Sequence, residues 1–126
     1  NGLLINSENF QALELLQEKY VEKIQDIYAD PPYNTSASEI MYKNSYKHSS
    51  WLSLMFSRLS LGKRFLNKNG IQCTTIDDVE QSKLSLLLGN IFEEIPDAVA
   101  IRIKPSGRPI PNGFAISHEY ALFSKK

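Results

Sequence analysis

The sequence has one cysteine, one tryptophan and no excess of either charge, and each scarcity narrows what it can encode. Cys73 alone cannot close an internal disulfide, which excludes a disulfide-stapled secreted scaffold and fits a reducing, cytoplasmic compartment. Fourteen basic residues balance 14 acidic ones, so no global positive field marks a nucleic-acid binder, and such binding must use a local patch. No apolar run approaches the roughly 18 residues that a membrane span requires. The opening NGLLINSENF lacks the basic-then-apolar order of a signal peptide, and the missing initiator Met points to an excised domain. No GxG occurs, and the six glycines are scattered at positions 2, 62, 70, 89, 107 and 113.

What is present is an ordinary globular composition, 42% hydrophobic over 126 residues, enough for one core and one domain or a piece of one. LLI at 3–5 reads as a short strand, and Ser7 as the N-cap of a helix over 8–20 with Ala12, Leu13, Leu16 and Tyr20 on one face. IQDIYA at 24–29 reads as a strand ended by two prolines, and 34–50 as a long polar loop. Ser49 or Ser50 then caps a helix with Trp51, Leu54, Met55, Leu59 and Phe65 in a stripe, stopped at Asn69-Gly70. A strand at 71–76 precedes Asp77-Asp78-Val79-Glu80, read as a capping box for a helix ending near Phe92. Strands at 98–104 and 118–124 close the chain as an antiparallel hairpin around the Pro/Gly loop KPSGRPIPNG. The order predicts an α/β fold with a mainly parallel sheet and a terminal antiparallel hairpin.

Ligands of such sheets sit outside the carboxyl ends of the strands, where Asp30-Pro31-Pro32-Tyr33 lies. Each proline fixes φ near about −65° and removes an N–H, so the segment is stiff and presents carbonyls without competing donors. The Asp30 carboxylate and the Pro31 carbonyl make two neighbouring acceptors, matched to a group with two N–H donors such as an exocyclic amine. Tyr33 offers a flat face for a heterocycle, a stacking contact of about 1–3 kcal/mol per base. Two acceptors on an aromatic amine localise its lone pair and stabilise the charge that develops as the nitrogen attacks an electrophile. The same four residues also read as a plain Pro-Pro turn after a strand.

The chain resembles the DNA adenine (N6) methyltransferases of the beta class, and within them the modification (Mod) subunit of type III restriction-modification systems. NSENFQALELL resembles that family's "GDNLLAL" helix, YADPPYNTS its "IYIDPPYNTG", and WLSLMFSRLSLGKRFL its "WLSFMKNRLELAKKLL". TIDDVE resembles "SIDDNE", and ISHEYALFSKK resembles "SHEYILVY", so the likeness runs through almost the whole chain in order. It implies part of a Rossmann-like, S-adenosylmethionine-dependent methyltransferase fold, with residues 1–126 as the catalytic portion. It also implies methyl transfer from S-adenosylmethionine to a flipped adenine in DNA. Asp30, Pro31, Pro32 and Tyr33 are then the catalytic residues. Asp30, Glu8 and Asn9 border the cofactor, with a helix cap as the alternative role of Glu8 and Asn9, and Tyr42, Lys43 and Asn44 help to hold the DNA. Expected partners are DNA, a restriction (Res) subunit and a second methyltransferase subunit. Ser7-Glu8 departs from the family's Gly-Asp, and the FxGxG cofactor motif is absent from these residues, so the piece is expected to be weak or inactive alone. The alternatives are an inactive module of the same fold serving DNA binding or subunit assembly, and an enzyme acting on adenine in RNA.

Asp77, Asp78 and Glu80 are oxygen ligands by type, but a capping box accounts for them and no metal is expected. His48 and His118 stand apart from any ligand spacing and read as structural, and Cys73 as a small buried hydrophobe. Lys43, Lys47, Arg58, Lys63, Arg64 and Lys68 cluster mid-chain, and Lys104 and Arg108 punctuate the late loop. Both groups read as DNA contacts, or else 58–68 as a solvated basic helix face and the late loop as a plain connector.

Overall fold

The computed structural model describes residues 2–34 and 48–126, and Tyr42, Lys43, Asn44 and Lys47 lie outside them. Leu3 and Leu4 are 69% and 96% exposed and form no strand, because a strand needs a ladder partner and this stretch has none among the described residues. Helix α1 (Asn9–Tyr20) follows. Its cap is Glu8 rather than Ser7, with a side-chain oxygen accepting from the Gln11 amide at 3.0 Å. The expected face, Ala12, Leu13, Leu16 and Tyr20, is the half-buried one.

Strand β1 (Ile24–Ala29) ends at the prolines, as the sequence requires. Helix α2 (His48–Phe65) begins before Ser49 and Ser50, so neither caps it; Ser53 instead donates to the Ser49 carbonyl at 2.9 Å. Trp51, Met55, Leu59 and Phe65 are buried along the predicted stripe.

Strand β2 (Leu66–Ile76) starts directly after α2, so Asn69-Gly70 is not a helix stop. The pairing jumps from Ile24↔Leu66 to Asp26↔Ile71, and the skipped residues form an irregularity in β2. Asn67 Oδ1 accepts from the Asn69 amide at 3.0 Å there. Gly70 is required because a Cβ would stand 2.9 Å from the Leu66 side chain.

Helix α3 (Gln81–Phe92) has Glu80 at its N-cap position, yet the Glu80 side chain caps nothing. The expected capping box is replaced by an Asp77 carboxylate that accepts from the Val79 amide at 3.0 Å. Strands β3 (Asp97–Arg102) and β4 (His118–Lys125) form the expected hairpin.

The sheet order is β1-β2-β4-β3, with β1 and β2 paired parallel and β4 antiparallel to both of its neighbours. Three strands therefore run one way and β4 is inserted against them, so the α/β class and the terminal hairpin stand while the ladder is mixed. The hairpin folds β4 back against β2, which interposes an antiparallel strand where the sequence order suggested a parallel neighbour. The core joins Trp51, Met55 and Leu59 of α2 to Leu84, Leu88, Ile91 and Phe92 of α3 and to Leu66, Ile76 and Leu122 of the sheet. Burying each such side chain contributes about 1.5–3 kcal/mol. Lys63 of α2 donates to the Ile91 carbonyl near the α3 terminus at 2.7 Å, so this member of the basic cluster braces the fold. No helix among the described residues is long and apolar enough to cross a membrane.

Candidate active site

The carboxyl ends of β1 and β2 and the start of β4 meet at one edge of the sheet, because β4 runs against the other two. Asp30 follows β1 there and is exposed, while Pro31, Pro32, Tyr33 and Asn34 are half-buried. Thr75, on the neighbouring strand, donates its hydroxyl to Asp30 Oδ1 at 2.6 Å. Trp51 in the first turns of α2 donates its indole N–H to the Pro32 carbonyl at 2.8 Å, so the carbonyl it occupies is not that of Pro31.

Asp30, Pro31 and Pro32 border a cleft of about 650 Å³ between α1, α2 and β1. Its walls are largely apolar, from Leu13, Leu16, Ile27 and Leu59, with Asn9, Arg58 and Gln72 as polar members. Gln72 is buried, and its Oε1 has no hydrogen-bond partner among the described residues. Such an orphan acceptor costs about 1–3 kcal/mol unless something donates to it.

Tyr33 does not line that cleft. Its hydroxyl donates to Glu119 Oε2 at 3.2 Å and its ring packs against the core. Burial, together with the Glu119 and Asp30 carboxylates, pushes the phenol far up, beyond the opposing effect of a Thr75 hydrogen bond.

Glu8 and Asn9, predicted together, part company. Asn9 lines the cleft, whereas the Glu8 carboxylate is occupied by the cap and by an ion pair with Arg58. The Gln11 amide, and then Arg58, hold the Glu8 carboxyl below its usual range against some burial. Arg108, exposed on the late loop, is likewise engaged, at 2.7 Å from Asp78 and 3.8 Å from Asp77. Asp77 is buried, and that burial raises its carboxyl above the usual value despite the Val79 amide. Among the described residues no group of three His, Cys, Asp or Glu side chains is placed to hold a metal.

Two contacts went unseen in the sequence, Thr75 on Asp30 and Glu119 on Tyr33. The only prior signal was a strand register that sequence patterning does not fix. Cys73 is half-buried rather than sealed in the core, and His118 bonds the Tyr120 hydroxyl at 3.0 Å, as a structural histidine would.

An α/β sheet with an acid-Pro-Pro-Tyr corner beside a cleft defines a class, and the family model described as DNA methylase matches residues 24–126. The chain belongs to that family. It is 37% identical over 92 residues to the probable type III restriction-modification enzyme HindVI Mod subunit of Haemophilus influenzae, covering 73% of this chain and 12% of that one. It is 28% identical over 155 residues to the EcoPI Mod subunit of Escherichia phage P1, covering 94% of this chain and 23% of that one. The chain thus spans less than a quarter of the length of these relatives. A putative DNA modification methylase from Thermus thermophilus, solved with S-adenosyl-L-methionine, superposes with TM-score 0.67 at 13% identity, covering 91% of this chain and 50% of that one. That likeness establishes the methyltransferase fold, of which this chain forms part.

Proposed function

We propose that the chain is the catalytic portion of a DNA adenine-N6 methyltransferase of a restriction-modification system, spanning residues 1–126. The observation that carries this reading is the exposed Asp30 carboxylate, held by Thr75 at the mouth of the cleft beside the stiff Pro31-Pro32 pair. Type III Mod subunits are among the relatives the chain matches, and DNA is the substrate that follows from the reading.

Asp30 and the Pro31 carbonyl accept the two hydrogens of the adenine amine. The two contacts draw the nitrogen lone pair out of conjugation and stabilise the positive charge that grows on it. Thr75 fixes the Asp30 carboxylate in advance, so little reorganisation accompanies the reaction. The paired base must leave the duplex at a cost of a few kcal/mol. Tyr33, its hydroxyl anchored on Glu119, supplies the stacking face.

The cleft suits S-adenosylmethionine. Apolar walls fit a nucleoside, the Asp30 carboxylate faces a region suited to a sulfonium charge, and Gln72 Oε1 is an acceptor open to a donor. Asn9, Asp30 and Gln72 would hold the cofactor, which supplies the methyl group when bound. Tyr42, Lys43 and Asn44 are assigned to the DNA. A restriction (Res) subunit and a second methyltransferase subunit are the proposed protein partners.

Asp30→Ala in the full-length protein tests the proposal. Tritium transfer from labelled S-adenosylmethionine to DNA should vanish with the circular dichroism spectrum unchanged, and nucleoside mass spectrometry of the parent's product should give N6-methyladenine. Near-normal transfer by the variant contradicts the role of Asp30, and N4-methylcytosine in the product contradicts the adenine assignment.

A further inference from the structure

Glu80 is fully buried, and a buried carboxylate is costly unless it is paired and hydrogen-bonded. It does not cap its own helix. Instead Asn34 Nδ2 donates to Glu80 Oε1 at 2.7 Å, His48 Nδ1 meets the same oxygen, and Lys83 stands 3.3 Å from Oε2. Burial alone would raise the carboxyl, but hydrogen bonds from Asn34, His48 and Lys83 outweigh it and hold it below the usual range.

Both upstream partners lead to the Asp30–Tyr33 corner. Asn34 is the next residue after Tyr33 and sits in the left-handed region at φ 58°, a conformation that costs an L-residue energy and that its side-chain bond to Glu80 offsets. His48 opens α2, and Trp51, one turn further on, holds the Pro32 carbonyl at 2.8 Å. One carboxylate therefore grips the corner from its chain end and, through the first turn of α2, from its carbonyl side.

We propose that Glu80 is a positioning residue, whose buried carboxylate sets the shape of the Asp30–Tyr33 corner through Asn34 on one side and through His48 and Trp51 on the other. The inference rests on the reading of that corner as the methyl-transfer site. It assigns Glu80 no contact with substrate.

The test uses the full-length protein with Glu80→Gln, which keeps shape and removes charge, and Asn34→Ala, which removes one arm only. Asp30→Ala serves as the control. Single-turnover methyl transfer at saturating DNA should fall on the order of tenfold in both variants, while the KM for S-adenosylmethionine stays within about threefold. The indole N–H resonance of Trp51, assigned by its loss in Trp51→Phe, should shift in Glu80→Gln. A purely structural Glu80 would lower the melting temperature and leave both the rate of the folded enzyme and the split between kcat and KM unmoved. Transfer within about twofold of the parent in Glu80→Gln and Asn34→Ala overturns the inference, as does an unmoved indole resonance. If Glu80→Gln does not fold, Asn34→Ala decides by its rate alone. Full activity in Asp30→Ala overturns the reading of the corner, and the indole resonance then still decides whether Glu80 shapes it.

Discussion

Thr75 donates its hydroxyl to Asp30 Oδ1 at 2.6 Å across the parallel pair of β1 and β2, joining two residues 45 positions apart in the chain. The donor is buried and the acceptor exposed, so the sheet interior aims a carboxylate that faces solvent.

Thr75→Val keeps the shape and deletes the donor. A hydrogen bond to a charged group is worth about 1.5–3 kcal/mol, so kcat should fall roughly tenfold or more with the Kd for DNA little changed. Single-turnover kinetics with a DNA-binding assay measure both, and an unaltered kcat would show that Asp30 needs no such support.

Tyr33 separates ring from hydroxyl. Tyr33→Phe loses the Glu119 contact, keeps the ring and should retain most of the fluorescence of a flipped 2-aminopurine in place of the target base. Tyr33→Ala should lose most of that signal, because a stacked base is worth about 1–3 kcal/mol. Equal signals from the parent and the alanine variant count against stacking.

Glu8 and Asn9 should behave differently although they are adjacent. Glu8→Ala removes the α1 cap and the Arg58 partner, so the melting temperature drops while the KM for S-adenosylmethionine changes little. Asn9→Ala should raise that KM and leave the melting temperature alone. Reversal of the two effects would return Glu8 to the cofactor site.

Asp77 gives a pH signature. Its carboxyl lies above the ordinary value of 3.8 in the folded protein, chiefly through burial, so the folded state binds this proton more tightly than the unfolded one. Its contribution to stability is complete below 3.8 and is lost as pH rises through the raised value. Asp77→Asn keeps the acceptor for the Val79 amide and should remove that loss, flattening the curve above 3.8. Urea unfolding across pH should show the difference, and parallel curves for parent and variant would exclude it.

Much of the scaffold was legible. The half-buried face of α1, the Trp51–Phe65 stripe of α2 and the end of β1 at two prolines follow from periodicity and from proline's fixed φ, which act within a few residues. Asn69-Gly70 misled because Gly serves a site with no room for a Cβ, here against the Leu66 side chain, as readily as a helix end. Asp77-Asp78-Val79-Glu80 misled because the capping pattern does not reveal that Asn34 and His48 converge on Glu80. Residues 3–5 have a strand's composition, but a strand exists only with a partner.

The sequence by itself determined a stiff Asp-Pro-Pro-Tyr corner after a strand, since two fixed φ angles and two missing donors are properties of the residues. Only the tertiary structure decided that Thr75 aims Asp30, that Glu119 holds Tyr33 from 86 positions away and that Glu80 grips Asn34 from 46 away. Those meetings depend on helix packing and on strand register, and in a strand a shift of one residue turns every side chain to the opposite face.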